Sequence, residues 1–327
     1  MPNSPTLVLV HGGWHRASCF DPITSLLQEG HGLKCISVSL PSTSGNPEAT
    51  YKDDIDAVRE AISSETSAGR DVVVIAHSYG GMPGSSAIKG FAEKTAGGSA
   101  APDDVVATAG HVIGLILIAS GYNLPGLSFM DPFLGHPPSF WRVNKETGYA
   151  ELVASPRELF YHDVLPADEA ERWVSQLTTQ SLKALFEGGE NSYAGWKDVP
   201  SWYIGAAQDR AMPVAAQRLT VGMARAMGGV VEHREMQTSH SPFLSRPRQT
   251  VQIILEAVAA FTGGPPPSVG ATPTSGPPPE EGVTVPAVRF WRPLTWYRFG
   301  LPLFFGRLLG GGFLLFGWCR RVFGGSK

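Results

Sequence analysis

The stretch VVVIAHSYGG, residues Val72 to Gly81, decides the fold. Val72–Ala76 is short, continuous and rich in β-branched side chains, which predicts a buried strand. Directly after it comes A-H-S-Y-G, one methyl group away from the G-x-S-x-G turn. In that turn the chain passes abruptly from strand to helix and lifts the serine hydroxyl above the sheet edge. Ala76 stands where the pattern has glycine. A serine N-cap on an ordinary strand-to-helix turn reads the same way at this length. The rest of the chain separates the two.

Working outward, apolar runs alternate with helical patterns as far as residue 262. Strands are predicted at Thr6–Val10, Leu33–Val38, Val72–Ala76, Val112–Ala119, Ser201–Gly205 and Val230–Glu235. Helices are predicted near 19–29, 50–68, 79–93, 213–227 and 247–262. In Tyr51–Ile62 the positions Ile55, Val58 and Ile62 recur at helical spacing, and Asp53, Asp54 and Asp56 complement the helix dipole. Such alternation predicts an α/β fold, a mostly parallel six-stranded sheet with helices on both faces. Residues 122–196 break the rhythm with Pro- and aromatic-rich sequence, no clear strand and a helical piece around Ala167–Glu187. An insertion there, at the end of a sheet strand, is expected to form a cap.

A serine hydroxyl becomes a nucleophile only when a base takes its proton, and that base needs an orienting acid. In sheets of this kind the order along the chain is Ser, acid, His, each on a loop after a strand. Asp209 lies in AAQDRAMP just past the fifth strand, and His240 in MQTSHSPFLSRP just past the sixth. Both fall at the sheet edge that carries Ser78, where ligand sites of open α/β sheets lie. After the first strand, His11-Gly12-Gly13 permits a tight, backbone-exposing loop. The main-chain N–H groups of Gly13 and Tyr79 are the expected oxyanion donors. A lone aspartate is usually a turn residue and a lone histidine a structural one, but this ordered set favours catalysis. His15, His77 and Arg16 fall near the site with loop structure as the expected role.

Together HGGWHRASCF, AHSYGG, YIGAAQDRAMP and SHSPFLSRP resemble the α/β-hydrolase superfamily over roughly residues 5–262. Within it they resemble the compact branch of plant methyl-salicylate and methyl-jasmonate esterases and hydroxynitrile lyases, which lacks the first two strands of the full fold. Similar sequences are frequent among fungal and bacterial hydrolases, some in natural-product pathways. The resemblance implies Ser78 as nucleophile, His240 as base, Asp209 as its orienting acid, and no metal or organic cofactor. The lyases of this branch carry lysine after the histidine and threonine in the oxyanion loop. Here Ser241 follows His240, and Gly12-Gly13 follows His11. Hydrolysis of a carboxylic ester of a lipophilic small molecule is therefore expected. Intact Ser78 argues against the cofactor-free oxygenases of this fold. Two other readings stand beside ester hydrolysis. One is a tailoring enzyme performing carbon–carbon cleavage, lactonisation or thioester release with the same residues. The other is a non-catalytic protein that binds a hydrophobic ligand.

The 327 residues carry a formal net charge of -3, but unevenly: residues 1–281 hold -10 and residues 282–327 hold +7, with no acidic side chain. The catalytic region is thus expected to end near 263, followed by a Pro/Gly-rich linker at 264–286 and a separate basic, aromatic tail at 287–327. Eleven of the 32 aromatic residues fall in that tail. Arg307 and Gly310–Gly312 disfavour a spanning helix, and the expectation is an interfacial anchor on an anionic membrane surface. Docking of the tail onto the catalytic region is the alternative. Aliphatic and glycine sequence between the arginines is a poor fit to nucleic acid. Three cysteines without metal-like spacing and an N-terminus without a basic leader predict an intracellular protein, cytoplasmic or peripherally membrane-associated.

Overall fold

In the computed structural model, which describes residues 4–93, 110–264 and 282–323, the six apolar runs form one sheet. Its strands are β1 (Thr6–Val10), β2 (Cys35–Val38), β3 (Val72–His77), β4 (Val112–Ile118), β7 (Ser201–Ala206) and β8 (Val231–Met236). All pair in parallel, in the order β2-β1-β3-β4-β7-β8. The chain first builds outward from β1 to β2, then crosses back to β3 and builds the other way. The order therefore reverses between β1 and β3, and the loops after these two strands face one crevice.

Alternation along each strand feeds two cores. Val8, Val10, Val74, Ala76, Leu115 and Leu117 point to one face; Leu7, Leu9, Val73, Ile75, Ile116 and Ile118 point to the other. On the framework lie helices α1 (Asp21–His31), α2 (Tyr51–Ser67) and α3 (Gly81–Ala87). Further on come α4 (Pro156–Phe160), α5 (Ala167–Ser175), α6 (Leu182–Phe186), α7 (Val214–Ala226), α8 (Pro247–Thr262) and α9 (Leu301–Phe323). Helix α2 starts at a reciprocal capping box between Thr50 and Asp53. It buries Tyr51, Ile55, Val58 and Ile62 against the sheet, each of the aliphatic residues contributing about 1.5–3 kcal/mol.

The insertion after β4 departs from expectation in two ways. It contains an antiparallel hairpin, β5 (Trp141–Asn144) and β6 (Tyr149–Leu152), turned at Gly148 with φ 75°. Four-residue strands give too short an alternation to stand out in sequence. The helical piece expected over Ala167–Glu187 is two helices, α5 and α6. Between them, the Thr178 N–H donates to the Trp14 carbonyl (2.7 Å) and the Ala150 N–H to the Gln180 carbonyl (2.9 Å). Tertiary hydrogen bonds hold this segment extended.

The tail docks. Of the linker expected at 264–286, residues 265–281 lie outside the described residues; Thr284 then pairs with Glu235 on the edge strand β8 (2.8 Å each way). Helix α9 runs unbroken through Gly310–Gly312, contrary to the weakening expected from sequence. Its glycines are the reason it packs: a Cβ on Gly306 would enter the Leu219 carbonyl, and one on Gly310 would lie 2.6 Å from the Met223 carbonyl. Gly222 of α7 faces the Leu303 backbone equally closely. Pro302 deprives the Arg298 carbonyl of its helical donor. A π-helical turn at Trp296–Gly300 absorbs the proline, and the Arg218 guanidinium donates to that carbonyl instead.

Candidate active site

The turn after β3 is strained at one residue. Ser78 has φ 51°, a left-handed conformation that a side-chain-bearing residue adopts at a cost. The strain persists because the surroundings leave no alternative. A Cβ on Gly80 would lie 2.6 Å from the Val10 carbonyl oxygen and nearer still to that of His11. The Ala76 methyl is admitted because Gly84 of α3 lies opposite, where a Cβ would stand 3.0 Å away. The room that a glycine at position 76 would leave is supplied here by Gly84 on the helix side of the contact. Ser78 itself is half-buried, and its backbone carbonyl accepts from the Ser120 hydroxyl at 2.6 Å.

Asp209 and His240 meet. The His240 Nδ1–H donates to Asp209 Oδ2 at 2.7 Å, with both side chains buried. Asp209 has three further donors: the Ala211 and Met212 N–H groups (2.8 Å each) on Oδ1, and Gln217 Nε2 (3.0 Å) on Oδ2. Gln217 is completely buried and also binds both polar groups of the Ala206 backbone. It locks the carboxylate to β7, and no single-sequence pattern marks it. The carboxylate on Nδ1 leaves Nε2 of His240 as the basic nitrogen.

Four histidines crowd this edge, and among the described residues only His240 of these has an acid partner. His11 is lowered to about 4 and His15 to about 3, chiefly by burial. His77 is held well below its usual range by burial, with repulsion from neighbouring histidines adding to it. These three stay neutral and serve architecture. His77 Nε2 donates to the His240 carbonyl (3.0 Å), tying the histidine loop to the serine turn. His15 spans the Gly13 carbonyl (2.7 Å) and the Tyr161 hydroxyl (2.9 Å), and Arg16 is exposed and donates to the Gln176 carbonyl. His15, His77 and Arg16 each make hydrogen bonds of the kind expected of loop residues.

The glycine loop after β1 reaches the serine turn. A Cβ on Gly12 would stand 2.9 Å from the Ser78 Cβ, so only glycine fits. Among the described residues the Gly13 N–H has no hydrogen-bond acceptor. The Tyr79 N–H opens a helical turn, where no internal acceptor exists. The Ser78 hydroxyl makes no hydrogen bond with the described residues; such contacts commonly tighten only with substrate in place.

Two further residues escaped the sequence reading. Asp54 is not a surface dipole partner. It is buried beneath the site, accepting from the Tyr79 hydroxyl (2.6 Å), the Ser42 hydroxyl (2.6 Å) and the Ser42 N–H (2.9 Å), and burial raises it to about 6. Its spacing from Tyr51 and Val58 places it on the apolar face of α2, a signal that was available. Gln180, from the cap, is fully buried, and its Oε1, without a hydrogen-bond partner among the described residues, lies 3.0 Å from where a Gly13 Cβ would be. Above the histidine, Phe160 stacks at 5.5 Å, and Trp14 meets Trp141 and Phe160.

Comparison with known proteins agrees with this architecture. An "Alpha/beta hydrolase nvfD" of Aspergillus novofumigatus is 29% identical over 258 residues, covering 77% of this chain and 96% of its own. A "Probable hydrolase R7" of a Phoma species is 23% identical over 256 residues, covering 77% and 97%. Among solved structures, a pyrethroid hydrolase of Sphingobium faniae superposes with TM-score 0.59 at 20% identity, covering 79% of this chain and 99% of its own. Polyneuridine aldehyde esterase superposes with TM-score 0.59 at 21% identity, covering 77% and 98%. At that identity these two show likeness of fold. The sequence model of the Alpha/beta hydrolase family matches residues 7–253, from β1 into α8 and short of the tail. The chain belongs to the alpha/beta hydrolase family.

Proposed function

We propose that this protein is a serine hydrolase that cleaves a carboxylic ester of a lipophilic small molecule. The observation that carries the reading is the buried His240–Asp209 pair at 2.7 Å, tied through His77 to a serine held at φ 51°. Ser78 Oγ attacks the ester carbonyl as His240 Nε2 takes its proton, and Asp209 stabilises the imidazolium formed. Negative charge developing on the carbonyl oxygen falls to the Gly13 and Tyr79 N–H groups, which act because they are already oriented. The imidazolium returns the proton to the leaving alkoxide. Water, deprotonated by the same nitrogen, then releases the acid from Ser78. The aromatic side chains of Trp14, from the loop after β1, and of Trp141 and Phe160, from the cap, support an apolar acyl or alcohol group. The relatives named hydrolase and esterase support ester cleavage over the other triad chemistries.

The test is turnover of p-nitrophenyl esters of increasing acyl length by the purified protein and by Ser78→Ala. The expected result is hydrolysis favouring longer acyl chains, reduced by about 10⁴-fold or more in the variant. Turnover undiminished in Ser78→Ala would overturn the proposal.

A further inference from the structure

The catalytic reading leaves the outer face of α9 unused. One stripe of this helix, Gly306 and Gly310, is pressed into α7. Opposite it, Leu301, Phe304, Phe305, Leu308, Leu315 and Val322 recur at helical spacing, and each is at least 42% exposed. Exposed apolar surface of this extent marks an interaction face. Just before it, Phe290, Trp291 and Tyr297 are at least 74% exposed. Arg298, Arg307 and Arg320 are exposed along the same segment, within a tail that carries seven basic side chains and no acidic one.

We propose that α9 lies in the plane of an anionic membrane surface. The leucine–phenylalanine stripe enters the acyl boundary, and the arginines and aromatic residues sit at headgroup depth. The glycine stripe meanwhile clamps the catalytic domain to the helix. Three observations select this occupant. First, the continuous helical segment Pro293–Arg320 is long and apolar enough to cross a bilayer, but the stretch from Leu303 to Gly310 is packed along α7. The remainder, residues 311–323, reaches about 20 Å at 1.5 Å per residue, short of the roughly 30 Å hydrocarbon core, and it contains Arg320. Second, a second copy of the chain seated on this stripe would bring two +7 tails together, whereas anionic headgroups neutralise them. Third, α9 runs alongside α7 in the same direction. Arg298 and Phe299 meet Arg218 near the start of α7, and Gly310 meets Ala226 at its end. Because α7 begins at the catalytic edge and leads away from it, a bilayer beside β8 leaves that edge uncovered.

The experiment is cosedimentation of the full chain with phosphatidylcholine vesicles, with and without phosphatidylserine, compared with the double variant Leu308→Glu/Leu315→Glu. Both positions are exposed, so the thermal midpoint and solution ester turnover serve as folding controls and stay unchanged. The expected result is binding to the anionic vesicles that weakens with salt, is about tenfold or more weaker without phosphatidylserine, and drops at least tenfold in the double variant. Alkaline carbonate is expected to strip the bound protein. Failure to bind either vesicle, or binding indifferent to the double substitution, overturns the proposal. Retention after carbonate overturns it in favour of a spanning helix. A wild-type dimer that becomes monomeric in the variant, without vesicle binding, overturns it in favour of a second copy.

Discussion

Gly80, Gln217 and Asp54 show how much of the site is held by residues that take no part in bond making. The Gly80 position is closed by backbone oxygens of β1 and the loop beyond it, atoms that cannot move without displacing the sheet. Gly80→Ala is expected to destabilise the protein by about 3 kcal/mol, measured by urea unfolding, and to lower activity with it. Gln217→Leu keeps most of the volume but removes a donor from Asp209 and from the Ala206 carbonyl, which keeps the Asp209 N–H at 3.3 Å, and it orphans the Ala206 N–H. The orphaned group costs about 1–3 kcal/mol. In the fraction that folds, kcat is expected to fall while KM stays near its starting value, because substrate contacts are untouched. A variant with an unchanged kcat contradicts the positioning role. The placement of Ser78, Asp209 and His240 on loops at one sheet edge was legible because chain order and strand ends constrain them jointly. Gln217 was not, since a glutamine in the first turn of a helix has no sequence mark of facing inward. Asp54 was legible in principle from its phase on α2, but acidic residues in a first turn fit the helix dipole equally well.

Elements report the same division. Long apolar strands and α2 could be placed from periodicity because their burial is decided locally, by side chains two or four apart. The hairpin β5–β6 and the break between α5 and α6 could not, because hydrogen bonds from distant loops fix them. The tail shows propensity overruled by packing. Glycine weakens an isolated helix, yet the same glycines let α9 approach α7 to backbone distance. Gly306→Leu is therefore expected to detach α9 despite raising its intrinsic helicity. Limited proteolysis should then cut the tail markedly faster than in the wild type, with ester turnover retained. Equal protection of both proteins would show that the α7–α9 contact does not hold the tail.

For the whole molecule, the buried histidines set the response to acid. His11, held at about 4, and His15 and His233, each at about 3 through burial, are neutral in the fold. They accept protons at about 6.5 once unfolded. Between pH 6.5 and about 4 the unfolded chain binds protons that the folded one refuses, so stability falls as pH falls. Asp54, raised to about 6, acts in reverse: between about pH 4 and 6 the folded state binds a proton that the unfolded state has released. Three bases outweigh one acid, and the urea midpoint is expected to decline steadily from pH 7 to pH 4.5. A midpoint that rises over this range would contradict the neutral assignment. The central claim, that positions 78, 209 and 240 form one acyl-transferring unit, is tested most directly by intact-mass and peptide mass spectrometry of the protein quenched during turnover of a slow ester. The account predicts a mass increase equal to one acyl group, on the peptide that contains Ser78, which fails to form in His240→Ala. Turnover without any such adduct, or an acyl group on another residue, would contradict it.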